Sequence, residues 1–142
     1  DRPNASATTI IVTTPTGQSH EIGALLAAVT ASACGWRVLY LGPQLSAEEI
    51  CAAAQRQGAR AIGLSVVYPD NDPTVLGELE RMRQGLGPEV DLLVGGRVAA
   101  AYGEALQRTG SILIEDLAHL RRHLTGVVAP SASSVEGPVA SD

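Results

Sequence analysis

His20 is the side chain in this sequence best suited to holding a metal. Imidazole is a neutral, borderline ligand that suits cobalt-like transition ions. It lies in Gln18-Ser19-His20-Glu21-Ile22-Gly23, just after the turn-rich Pro15-Thr16-Gly17 and at the start of a helical pattern. Gly23 allows something bulky to lie against the first helical turn. Spacing alone reads His20 more readily as a first-turn surface residue than as a ligand. Ser65 interrupts the apolar run Gly63-Leu64-Ser65-Val66-Val67. A buried hydroxyl there needs a partner, either backbone or ligand. Gly95-Gly96 closes another apolar run. Paired glycines at a strand end admit a ligand close to the backbone, or simply make a tight turn.

Other candidate features look bland. His119 and His123 stand four apart, a metal-capable spacing, but Arg121-Arg122 lies between them and no acidic motif accompanies them. They read as a solvated helix face. Trp36 opens a strand-like run and reads as packing. The dinucleotide glycine fingerprint does not follow the first strand, and the chain has no lysine to serve a phosphate loop. A Gly-x-Ser-x-Gly nucleophile elbow is absent as well.

These residues can cooperate only if the elements between them bring them to one place. Thr9–Thr14, Trp36–Leu41, Ala61–Val67, Val90–Val94 and Ser111–Ile114 read as strands. Helical patterns occupy 20–34, 47–57, 74–86, 97–108 and 117 to about 124. In the first of these, Ile22, Leu25, Leu26, Val29 and Ala33 carry the helical spacing. Ser46-Ala47-Glu48-Glu49 predicts a capping box, Gly58 a helix stop, and Asp116 the cap of the last helix. Five strand–helix alternations with short loops predict a doubly wound α/β fold. It has a five-stranded parallel sheet in the order 2-1-3-4-5. In such a sheet the ligand crevice lies outside the carboxyl ends of strands 1 and 3, where His20 and Ser65 fall. The expected organisation is a linker over 1–8, a domain over 9–126, and a tail without packing role over 127–142, where the composition turns to Ala, Ser, Pro, Gly and Val.

Composition excludes several functions. The chain has 142 residues, enough for one real core, and 45% of them are hydrophobic. The net charge of −5 and the 3% aromatic content argue against direct contact with nucleic acid. No apolar run is long enough for a membrane span, and no signal peptide is evident. Cys34 and Cys51 fall in helical apolar patterns and read as buried free thiols. The cytoplasm is the expected compartment.

Taken together, Gln18-x-His20-x-x-Gly23, Ser65-x-Val67 and Gly95-Gly96 resemble the B12-binding domain family, over about Thr9 to Leu124. The family pattern has Asp at the Gln18 position and Leu at the Val67 position. The resemblance implies a cobalamin held base-off, with His20 as lower axial cobalt ligand. The displaced benzimidazole tail would enter the crevice near Ser65, Gly95 and Gly96. Thr16, Gly17, Gln18, Ser19, Ile22, Gly23, Leu26 and Val67 complete the implied cofactor site. Adenosylcobalamin is the expected form, with hydroxo- or methylcobalamin as alternatives. The flanks, Val12-Thr13-Thr14-Pro15 and Leu39-Tyr40-Leu41-Gly42-Pro43, are similar to light-sensing cobalamin regulators of the CarH/LitR type. That likeness implies a regulatory module without turnover. It also implies a helical bundle and a MerR-type DNA-binding domain upstream, and it admits a homo-oligomer of the full-length protein. The alternative is a corrinoid carrier domain of a methyltransferase or mutase.

Overall fold

The structure, a computed structural model, describes residues 8–14, 22–66, 73–96 and 102–132, with backbone alone at 22, 73 and 128–132. Five strands alternate with five helices. These are β1 (Thr9–Thr13), α1 (Ile22–Ala33), β2 (Arg37–Tyr40), α2 (Ala47–Gln57) and β3 (Ala61–Ser65). They are followed by α3 (Pro73–Gly85), β4 (Asp91–Gly95), α4 (Gly103–Arg108), β5 (Ile112–Leu113) and α5 (Leu117–Ala132). All strand pairs are parallel and the order is β2-β1-β3-β4-β5, as the alternation predicts. β3 is therefore the central strand.

The sheet separates two cores. On one side Ile11, Ile62, Leu92 and Val94 pack against Ile50 of α2, Leu79 and Met82 of α3, and Leu106 of α4. On the other, Ile10, Val12, Ala61 and Leu93 meet Ala24 and Ala31 of α1 and Leu120 and Leu124 of α5. Trp36 is buried in this second core, and its indole N–H donates to the Leu124 carbonyl at 3.3 Å. A capping box sets the start of α2: Glu49 N–H donates to Ser46 Oγ at 3.1 Å, and Ser46 N–H to Glu49 Oε1 at 2.9 Å. Gly58 ends that helix in the left-handed region, at φ 62°. The carboxylate of buried Glu78, on α3, accepts from Ala47 N–H at 2.5 Å and from Arg81, tying α3 to the first turn of α2.

Several expectations need correction. Leu25, Leu26, Val29 and Ala33, which give α1 its helical spacing, are not the residues it buries. Leu25, Leu26 and Val29 are 45%, 49% and 68% exposed, while Ala24 and Ala31 are fully buried. α1 is apolar nearly all round, so periodicity cannot select its inner face, and close approach to the sheet favours alanine there. α5 does not stop near Leu124. It continues to Ala132, and Val127 still packs on the second core. Residues 127–132 thus belong to the last helix rather than to the expected tail; 133–142 lie outside the described residues. Cys34 and Cys51 are free but only partly buried. Burial first, and the Glu48 carboxylate second, push the Cys51 thiol above its ordinary value, which keeps it protonated at neutral pH.

Candidate functional site

The central strand makes the site possible. β3 reads Ala61-Ile62-Gly63-Leu64-Ser65, and alternate residues face opposite sides of the sheet. Its side toward α1 and α5 is Ala61, Gly63 and Ser65, all small. Its other side carries Ile62 and Leu64. In register with Gly63 lie Val12 on β1 and Leu93 on β4, and in register with Ser65 lies Gly95. α1 presents Gly23, Ala24 and Ala27 to the same space. With so few large side chains, sheet and helix cannot fill the gap between them. A cavity of about 390 Å³ remains at the carboxyl end of β3, closed by Ile114 after β5 and by Leu117 and Leu120 of α5.

Ser65 Oγ is buried in this cavity and has no hydrogen-bond partner among the described residues. Of the two partners the sequence allows, backbone is not the one taken. A buried hydroxyl without a partner costs about 1–3 kcal/mol, so one in a cavity points to a ligand that supplies the missing atom. Gly23 stands beside it: a Cβ at that position would lie 2.6 Å from Ser65 Oγ. The absence of a side chain at 23 is what leaves room for the hydroxyl between α1 and β3. Gly96, at φ +114°, has no room for a side chain either, since a Cβ would meet the Val66 carbonyl oxygen at 2.2 Å. Gly95 is held in the sheet by its carbonyl, which accepts from Val66 N–H at 2.8 Å.

The end of β1 is pinned independently. Thr13 and Thr14 are fully buried. Thr13 Oγ1 donates to the Gly42 carbonyl at 2.5 Å, and Gln44 N–H donates to Thr14 Oγ1 at 2.8 Å. The chain thus leaves a fixed point at Thr14 and returns to the cavity wall at Gly23. Thr16, Gly17, Gln18, Ser19, His20 and Val67 lie outside the described residues, as does the side chain of Ile22. His20 is three residues from Gly23, and covalent geometry alone keeps the two Cα atoms within about 11 Å. Gly23, Leu26, Ser65, Gly95 and Gly96 are brought together around one cavity.

Sequence reasoning missed Gly63, Ala24 and Ala27, whose small size creates the space, and Leu93, Ile114 and Leu120, which wall it. It also missed Glu115 and Asp116 at the mouth. The parity of β3, small on one side and large on the other, was the available signal. Asp116 caps α5, its Oδ1 accepting from His119 N–H at 2.8 Å. The two α5 histidines are not simply solvated. His119 Nδ1 accepts from Glu115 N–H at 3.1 Å, and His123 Nε2 lies 3.1 Å from Asp91 Oδ2, linking α5 to the start of β4. Among the described residues no group of three or more metal-ligating side chains occurs. None of the described helices is long and apolar enough to cross a membrane.

Fold and site define a class: an open parallel α/β domain with a largely apolar cavity at the carboxyl end of its central strand. Residues 8–116 match the family model described as the B12 binding domain, and the chain belongs to that family. A relative is ethylmalonyl-CoA mutase of Cereibacter sphaeroides, 29% identical over 131 residues, which make up 89% of this chain and 20% of the mutase. The chain thus spans about a fifth of that relative's length. A cobalamin-binding protein from Desulfitobacterium hafniense shares the fold with a TM-score of 0.75 at 21% identity, over 87% of this chain and 60% of that one. The methanol:cobalamin methyltransferase complex of Methanosarcina barkeri does so with a TM-score of 0.72 at 20% identity, over 94% of this chain and 52% of that one.

Proposed function

We propose that this domain holds cobalamin base-off, with the nucleotide tail in the cavity between β3, α1 and α5 and with His20 as the lower axial ligand of cobalt. The observation that carries this reading is the orphaned hydroxyl of Ser65 in a cavity built from small residues. A ring nitrogen of the displaced base would supply its missing partner, and the apolar walls would take the rest of the ring. Leu26 and Leu117, half exposed at the cavity rim, would shield it from water. Gln18 would orient His20 by accepting from its ring N–H, without adding charge. Bound cobalamin would supply the cobalt centre and its cobalt–carbon chemistry. The chain's own residues would anchor, orient and exclude water.

We further infer a regulatory rather than a catalytic role, of the light- or B12-responsive kind. The supporting feature is Gln18, a neutral amide where the family pattern has an acid. A charged partner would raise the basicity of the imidazole and couple its ligation to a proton, which suits turnover on cobalt. The likeness to ethylmalonyl-CoA mutase favours a second reading, the corrinoid-carrying domain of an enzyme. Both readings need cobalamin, and one experiment tests that. The purified domain is mixed with hydroxocobalamin, desalted, and its visible spectrum recorded. Retention of one corrinoid per chain is expected, and recovery of colourless protein would refute the proposal. Gln18→Asp tests the part played by the neutral amide. A sensor tuned by a neutral amide should gain affinity and a new pH dependence of ligation. An unchanged pH profile would mean that Gln18 does not face His20.

A further inference from the structure

We propose that the cavity also selects the lower base of the corrinoid, accepting benzimidazole and rejecting purine. This rests on the reading that the nucleotide tail enters the cavity, where few polar groups could meet a base. Among the described lining residues the buried side-chain polar atom is Ser65 Oγ. Val12, Ala24, Leu93, Ile114 and Leu120 present only hydrocarbon. Two of the nearby strand-end N–H groups are already engaged, Val66 on the Gly95 carbonyl and Ile114 on the Val94 carbonyl, both at 2.8 Å. Glu115 and Asp116 stand exposed at the mouth, where water competes for them, and Asp116 is committed to the cap of α5.

A benzimidazole attached to ribose through one ring nitrogen keeps a single in-plane lone pair and no N–H. Its far edge is a methylated carbocycle. One hydroxyl donor and hydrocarbon walls satisfy it completely. An adenine in its place carries three unsubstituted ring nitrogens and an amino group. Ser65 can satisfy one of these, and no other buried side chain among the described lining residues carries a polar group for the rest, each of which is buried there at a cost. Coordination strength works in the opposite direction. Adenine is the weaker cobalt ligand, so displacing it from the metal is easier, and any preference for benzimidazole must come from the cavity.

The test is titration of the purified domain with three hydroxo-corrinoids that differ only in the lower base: dimethylbenzimidazolyl, adeninyl and p-cresolyl. The benzimidazolyl form should bind at least about tenfold more tightly than the adeninyl form. The cresolyl form has no ring nitrogen for Ser65 to meet. Ser65→Ala should therefore weaken the benzimidazolyl form about tenfold and leave the cresolyl form unchanged. Ser65 Oγ has no partner to lose, so the variant should fold as the parent does. Equal affinity for the adeninyl and benzimidazolyl forms would overturn the selection while leaving cobalamin binding intact. An equal loss for the benzimidazolyl and cresolyl forms in Ser65→Ala would overturn the role of the hydroxyl. If none of the three binds, the cobalamin reading falls, and the selection with it.

Discussion

Gly63→Ala should make this domain more stable and a poorer cobalamin binder at the same time. Gly63 sits in the middle of the central strand, on the side that faces α1 and α5. A Cβ built there lies 3.6 Å from Val12 Cγ2 and 3.7 Å from Ile10 Cδ1, ordinary contact distances. The methyl therefore fits between α1 and the sheet without displacing its neighbours. Removing a glycine from a strand interior contributes about 0.5–1 kcal/mol by restricting the unfolded chain. Partial burial of the methyl adds at most about 0.8 kcal/mol. The sum, about 1–1.5 kcal/mol, should raise the Tm by roughly 3–6 °C for a domain of this size. The same methyl occupies the space left for the tail. Overfilling a fitted apolar site costs about 1–3 kcal/mol, so affinity for cobalamin should fall about 5- to 150-fold. The assay pairs thermal unfolding of the free protein with spectroscopic titration by cobalamin and by cobinamide, which lacks the nucleotide tail. Cobinamide affinity should not change. Equal weakening of both corrinoids, or an unchanged affinity for cobalamin, would refute the placement of the tail beside Gly63.

Gly23→Ala should leave the Tm within about 3 °C, because Ser65 can rotate its hydroxyl away from the new methyl. Cobalamin affinity should still drop about tenfold as that hydroxyl leaves the cavity; titration and melting curves check both. Glu78→Ala should cost about 2–4 kcal/mol in urea unfolding, since it strips the acceptor from Ala47 N–H and leaves Arg81 without its buried partner. Glu78→Gln should recover part of this, and neither variant should alter cobalamin affinity. A chain ending at Gly126 loses Val127 from the second core and should melt about 2–5 °C lower than one ending at Ala132. An unchanged Tm would mean that the end of α5 contributes nothing.

The strand–helix alternation was fully legible, because each strand is a short apolar run bounded by turn residues. The order 2-1-3-4-5 follows from short, right-handed connections. The limits of α2 were legible for a local reason, a capping box and a stop glycine written in consecutive residues. What failed was the choice of face. On α1 both faces are apolar, and only packing against Ala61, Gly63 and Ser65 decides that the alanines turn inward. The end of α5 failed because Val127 is held by tertiary contact with the second core and not by any local signal. Ser65, Gly95 and Gly96 were readable as residues of unusual type at strand ends. That Ser65 lacks a partner among the described residues was not, since it depends on atoms from three separate elements.

The most direct test of the account is the electron paramagnetic resonance spectrum of the domain loaded with cob(II)alamin, recorded for protein with natural-abundance histidine and for protein grown with 15N-histidine. Nuclear spin on the axial nitrogen splits each cobalt line, so the splitting reports which nitrogen binds the metal. Ligation by His20 with the base displaced predicts a triplet that becomes a doublet on labelling, and Gly63→Ala should weaken loading without changing that pattern. A triplet that persists in the labelled protein would show the benzimidazole still on cobalt, and would contradict the account at its centre.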